Sequence, residues 1–170
     1  MKAWHFLQDN GRLQWGPSGE RPGPKVKVGQ ALTVKPPLIM CAHGLHASLN
    51  VFDALGYAPG ALICRVELSG EIIKDPDKVV ASERTILWMV DATNALFEFS
   101  CWCAERALKQ ANVTDERSWA AIHTRRAWLR DDATDADLDA AWAAARDAAR
   151  DAEEKAQKRK LTKCINRLKP

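Results

Sequence analysis

No stretch of the 170-residue chain approaches the roughly eighteen consecutive apolar residues that span a bilayer, so no membrane-crossing helix is expected. The opening Met1-Lys2-Ala3-Trp4-His5 has no apolar signal-peptide core, and the expected location is the cytosol. The five cysteines are odd in number and lack framework spacing, which excludes a disulfide scaffold and suits free thiols in a reducing compartment. Cys101 and Cys103 sit in a helical setting and read as small apolar residues. Strong charge of one sign is also missing: the formal net charge of +3 selects no class of partner. Tyrosine is almost absent, with one against seven tryptophans. Four of these, Trp102, Trp119, Trp128 and Trp142, fall in the helical half and are expected to pin its core.

What is present is enough apolar residue, 46%, for one or two small domains. The texture changes near residue 91, which divides a strand-rich part, 1–91, from a helical part, 92–170. In the first part, Ala3 to Leu7 reads as a strand. Gln8 to Lys25, rich in glycine and proline, reads as a loop. Val26 to Val34 and Leu38 to Cys41 read as further strands. Asn50 or Ser48 is placed to cap a short helix from Val51 to Leu55. Ala61 to Leu68, bounded by Gly60 and Gly70, is the clearest strand, extended by Glu71 to Ile73. A turn at Lys74 to Lys78 leads to one or two strands between Val79 and Val90. In the second part, Thr93 or Asn94 starts a helix to about Ala111, with Leu96, Phe99, Cys103, Ala107 and Leu108 on its inner side. Thr114 or Asp115 starts another, ending near Arg130. Thr134 caps a long alanine-rich helix, with Asp137 placed as in a capping box. The expectation is an α+β protein: a small, twisted, mostly antiparallel sheet, then a bundle of about three helices.

The last helix carries acids from Asp131 to Asp139 and bases from Lys155 to Lys169. Acids at the start and bases at the end suit the helix dipole, so this pattern reads as a solvated helix rather than a nucleic-acid tail. Its alanine face needs a neighbour, either the two preceding helices or a second copy of the chain.

Chemistry concentrates in Met40-Cys41-Ala42-His43-Gly44-Leu45-His46-Ala47-Ser48. Cys41, His43 and His46 are of metal-ligand type, but the spacing matches no structural zinc site and no fourth ligand is evident, so no metal is expected. A Cys–His nucleophilic pair is disfavoured because Cys41 ends an apolar run and reads as buried.

Three segments resemble the ADP-ribosyltransferase fold. Ala3-Trp4-His5 is similar to that fold's first strand, where a histidine hydrogen-bonds the NAD ribose. Gly44-Leu45-His46-Ala47-Ser48 resembles the glycine–apolar–tyrosine–aromatic–small segment of the poly(ADP-ribose) polymerase branch, where the tyrosine stacks on nicotinamide. Val66-Glu67-Leu68-Ser69-Gly70 with Asp75-Pro76 resembles the strand and turn of rifampicin-type enzymes, as Lys27-Val28-Gly29-Gln30 resembles the segment before their second motif. The resemblance implies NAD as cofactor. It implies His5, His46 and Asp75 in catalytic places, with Asp77 or Glu83 as alternative carboxylates. Trp4, Gly44, Ser48, Tyr57 and Arg84 would line or hold the nucleotide. His46 stands where tyrosine is usual, and no Glu-x-Glu or Gln-x-Glu motif is present, so the resemblance implies altered or absent catalysis.

The whole chain also resembles a group of small phage and actinobacterial proteins. They open Lys-Ala-aromatic-His-Phe-Leu, carry Cys-x-x-Gly-apolar-His-Ala-Ser, and end in an alanine- and tryptophan-rich helical tail. That resemblance implies a second function class: a phage-type interaction protein that binds and inhibits a host or defence protein. A homodimer through the last helix is a further expectation.

Overall fold

The computed structural model describes residues 1–15 and 21–166. The chain is α+β and forms two compact units, Met1–Thr93 and Asn94–Pro170. The strand-rich unit comprises β1 (Lys2–Leu7), β2 (Arg12–Trp15), β3 (Arg21–Lys25), β4 (Ala31–Thr33), β5 (Leu45–Ala47), α1 (Val51–Leu55), β6 (Leu62–Lys74) and β7 (Val79–Asp91). The main sheet is antiparallel with order β1-β6-β7-β4, and β5 also pairs with β7.

The long hairpin β6–β7 is its frame. Cys64, Val66 and Leu68 point to one face and are fully buried, as alternation requires. With Ala3 and Leu7 of β1, and Ala47, Val79, Ala81 and Ile86, they build the core. The pairing slips between Ser69 and Ile72. Gly70, at φ +72°, lies in the slip, where a Cβ would stand 2.1 Å from Ser82 Oγ. A bulge of this kind bends and twists a strand. Beyond it, the start of β7 carries β5 on its free edge. The residue after β5 turns back to β1: Trp4 N–H donates to the Ser48 carbonyl (2.7 Å), and Ser48 N–H donates to the Trp4 carbonyl (2.9 Å). The β5 stretch thus links β7 to the edge strand β1.

Three local expectations are corrected. The Gln8–Lys25 loop contains β2 and β3, which pair with each other; its residues 16–20 lie outside the described residues. Pro22 and Pro24 are tolerated because β3 belongs to a two-stranded ribbon, where a missing donor breaks no central ladder. Of Val26–Val34, only Ala31–Thr33 is strand, because Gly29 at φ +79° turns the chain just before it. Leu38–Cys41 is not a strand. Ile39 and His43 bridge each other across a tight turn, with Cys41 left-handed at φ +64°. β7, in contrast, runs unbroken over the span read as one or two strands.

The second unit holds α2 (Thr93–Gln110), α3 (Glu116–Trp128) and α4 (Asp135–Asn166). Asp115 caps α3 by accepting from the Arg117 N–H, and Thr134 and Asp137 cap α4 reciprocally. At α2 the cap differs from expectation: the Asp91 carboxylate accepts from the Thr93 N–H at 2.8 Å. The inner stripe of α2 is also rotated. Cys101 is buried, while Phe99 and Cys103 are exposed. Phe97 meets Trp128 edge-on at 5.9 Å, and Arg125 lies over both rings. Trp102 and Trp142 do not pin the core, being about 50% and 49% exposed. Arg126 ties α3 to α2 through Glu98 (3.0 Å) and Glu105 (3.2 Å). Among the described residues, no helix is long and apolar enough to cross a membrane.

Candidate functional site

A cleft of about 340 Å³ opens where β1 meets the end of β5. β1 supplies Trp4, His5 and Phe6; the β5 stretch supplies His46, Ala47 and Ser48; Cys41, Tyr57 and Lys78 complete the wall used below. The size falls within the usual range of ligand pockets, about 300–1,000 Å³. The single bridge between Trp4 and Ser48 explains its place. It brings β1 and β5 together at one point, and side chains flanking that point border the gap.

His46 is fixed by its own turn. Cys41 N–H donates to His46 Nε2 at 2.9 Å, and the Gly44 backbone hydrogen-bonds the ring as well. The ring is therefore a plane held by main-chain contacts. Gly44 makes this turn possible. Its φ is +135°, and a Cβ there would stand 2.2 Å from Val80 Cγ2. Burial is the main influence on His46 and lowers its pKa; the Gly44 contact opposes this, while the Arg84 and Lys78 charges add to it.

His5 is the inner group. Its Nε2 is shut off from solvent and has no hydrogen-bond partner. Burial pushes its pKa well below the usual histidine range, with the nearby Arg84 and His46 charges acting the same way. Arg84 lies behind the site on β7 and is only 2% exposed. Its Nη1 donates to the His46 carbonyl at 2.6 Å, and its Nε has no partner among the described residues. No carboxylate pairs with Arg84 among the described residues. Burial pulls its pKa down to about 10. An unpaired buried guanidinium is costly, because lost hydration is not replaced by a counter-charge.

A polar chain occupies the outer wall. Tyr57, 54% exposed, donates its hydroxyl to Asp77, and Lys78 Nζ donates to the Tyr57 oxygen at 3.2 Å. That arrangement holds the Asp77 carboxyl below its ordinary range and raises Tyr57. Lys78 is raised as well, first by Tyr57 and then by the Cys41 side chain within hydrogen-bonding reach.

The structure thus brings His5, His46, Trp4, Ser48 and Tyr57 to one cleft, with Gly44 shaping the turn beneath it. Trp4 is set edge-on against Trp88 at 5.7 Å, with the Arg65 guanidinium over its ring at 4.4 Å. Asp75 does not line the cleft. It is an exposed turn residue whose N–H donates to the Lys78 carbonyl at 2.9 Å. Glu83 accepts from Ser69 Oγ at 2.8 Å. The carboxylate bonded to a cleft side chain is Asp77. Cys41, read as buried, is exposed and lines the cleft because its left-handed backbone turns it out of the apolar run. Sequence reasoning missed Lys78 and Gln14, both in the wall; Lys78 carries no local signal beyond its place in a turn. His43 Nε2 meets the Lys35 carbonyl at 2.8 Å, away from His46. No group of three or more potential metal ligands gathers among the described residues.

The two imidazoles set a pH dependence. With folded pKa values below the ordinary value, the unfolded chain gains protons first as pH falls. Stability is then complete above about 6.5 and declines below it, until the folded groups also titrate. His5 alone contributes a slope of up to about 1.4 kcal/mol per pH unit. Urea unfolding followed at pH 7.5, 6.5 and 5.5 is expected to show this loss, and His5→Gln is expected to flatten it. An unchanged slope in His5→Gln would contradict the burial of a neutral His5.

The strand-rich unit is therefore an antiparallel α+β domain with a histidine-walled cleft. The chain belongs to the family described as "Domain of unknown function (DUF7666)", which matches residues 3–98. No curated protein and no solved structure matches the chain.

Proposed function

We propose that the strand-rich unit binds NAD or a related nucleotide in this cleft, in the manner of ADP-ribosyltransferases. The observation that carries the reading is that His5 and His46, distant in sequence, wall one open cleft in front of a buried cation that has no carboxylate partner among the described residues. His46 offers a fixed plane for an aromatic base. Tyr57, with its hydroxyl tied to Asp77, offers a second ring at the mouth. His5 offers a hydrogen-bonding nitrogen at the inner end. Bound NAD would supply a nicotinamide–ribose bond that breaks with its electron pair leaving on nicotinamide, while water or an acceptor hydroxyl would bond to the same sugar carbon and lose its proton to solvent. A nearby carboxylate would stabilise the positive charge that builds on the sugar between these events. Asp77 would take that place in this reading, rather than Asp75. A preformed cleft also orients the sugar before the bond breaks.

Calorimetry with NAD, with mass spectrometry for released nicotinamide, tests this. Saturable binding that weakens in His46→Ala is expected. No binding at millimolar NAD would remove the reading. Binding without nicotinamide release would leave a nucleotide-binding domain that has lost turnover.

A second reading, a protein that binds and inhibits a host or defence protein, is favoured by the helical unit. An apolar groove of about 480 Å³ there is walled by Cys101, Leu108, Ile122 and Trp142. Stoichiometric capture of one partner, unchanged by His46→Ala, is its expected result. Capture lost in His46→Ala and restored by NAD would count against it.

A further inference from the structure

We propose that the inner end of the cleft, at His5 with the buried Arg84 behind it, is a phosphate subsite, selective for the phosphate or pyrophosphate of a nucleotide over a neutral ribose hydroxyl. The inference deepens the nucleotide-binding reading and departs from the resemblance, in which the first-strand histidine serves the ribose.

Three observations meet here. Arg84 is a buried cation with one neutral acceptor, the His46 carbonyl, and no carboxylate partner among the described residues. Its Nε and the His5 Nε2 are both shielded from solvent and unpartnered. His5 itself borders the cleft, and the Arg84 charge is felt at both imidazoles. Buried polar atoms are almost always satisfied, so two unpartnered nitrogens, one of them on a buried cation, call for a missing partner. A hydroxyl oxygen would satisfy the imidazole alone. A phosphate oxygen would do that and also supply the counter-charge that Arg84 lacks. Lys78 adds a second positive group to the wall, while Asp77 beside it is engaged by Tyr57. With the ring neutral and its hydrogen on Nε2, His5 donates to the phosphate, and Arg84 stands behind it as fixed positive charge. The planar base then lies outward, against His46 and Tyr57.

The test uses the full chain with inorganic pyrophosphate, inorganic phosphate and nicotinamide as separate probes. Calorimetry is paired with nuclear magnetic resonance of the histidine ring nitrogens. Pyrophosphate is expected to bind, to weaken with added salt, to shift the His5 ring signals and to raise the His5 pKa. Nicotinamide alone is expected not to displace it. Arg84→Met and His5→Gln should each weaken pyrophosphate by at least about tenfold, the first by removing the positive charge behind the site and the second by removing the hydrogen bond to it. If Arg84→Met does not fold, His5→Gln and the wild-type ring signals decide. Unchanged His5 signals at millimolar pyrophosphate overturn the proposal, as does binding that neither substitution weakens. If NAD binds and pyrophosphate neither binds nor competes, the subsite falls and the nucleotide reading survives. If pyrophosphate binds at His5 and NAD does not, the subsite stands and the NAD reading falls.

Discussion

Gly44→Ala is expected to destabilise the strand-rich unit by about 3 kcal/mol or more, a large share of a small domain's total of about 5–15 kcal/mol. Two causes act together. At φ +135° the backbone is in a region that side chains of L-residues rarely adopt, and the new Cβ would stand 2.2 Å from Val80 Cγ2. Val80 cannot swing away, because it is fully buried in the middle of β7's pairing with β5 and β6. The backbone of the turn must move instead, and with it the Gly44 contact that helps hold the His46 ring. Gly29→Ala separates the two causes. Gly29 has φ +79° and no heavy atom within 4 Å of an added Cβ. Its substitution should cost only the backbone term, about 1 kcal/mol. Urea denaturation of both variants gives the comparison. Equal losses would mean that close packing of Gly44 against β7 is not what fixes the turn.

Arg84→Met is expected to make the unit more stable while weakening anion binding. The residue is buried and has no carboxylate partner among the described residues, and the fall of its pKa to about 10 corresponds to about 3 kcal/mol against the charged form. An apolar side chain of similar length removes that penalty. It also removes the bond to the His46 carbonyl, worth about 1.5–3 kcal/mol for a charged donor. The balance is a gain of about 1 kcal/mol, which is a rise of about 4–8 °C in Tm for a unit of this size. A cation retained at such a penalty suits a function that needs it, since binding sites commonly trade stability for activity. A thermal melt of Arg84→Met that drops by several degrees would show that the guanidinium holds the fold together and has no need of a ligand.

Much of the architecture was legible because its signals are local. The buried trio Cys64, Val66 and Leu68 alternates in plain sight, and Asp115, Thr134 and Asp137 sit where caps belong. The two-part division follows from where alternation gives way to helical spacing. The residues that proved hard are those whose environment is set by distant chain. Arg84 is expected to hold the nucleotide, but nothing in Ser82-Glu83-Arg84-Thr85 signals how deeply it is buried. On β7, Val80, Ser82, Arg84 and Ile86 share one parity and are all buried, so Arg84 continues a buried row. The extra residue of the pairing slip near Gly70 lies on β6, not on β7. A charged residue within that row is the feature the local pattern does not announce. Cys41 departs from its local pattern as well: its apolar neighbours suggest burial, but its left-handed backbone rotates it outward. The convergence of His5 and His46 is visible in sequence only through resemblance. Physically it depends on the Trp4–Ser48 bridge, a long-range pairing. The same turn that holds Asp77 near Tyr57 leaves Asp75 outside, and a two-residue difference of this kind is beyond what motif spacing resolves.

The most direct measurement is a titration of the full chain with NAD, read at the ring resonances of both His5 and His46. The account predicts that both sets of signals move along one saturation curve, with the His5 shift reproduced by pyrophosphate. Signals from neither ring moving at millimolar NAD, or only one of them responding, would contradict a shared nucleotide cleft.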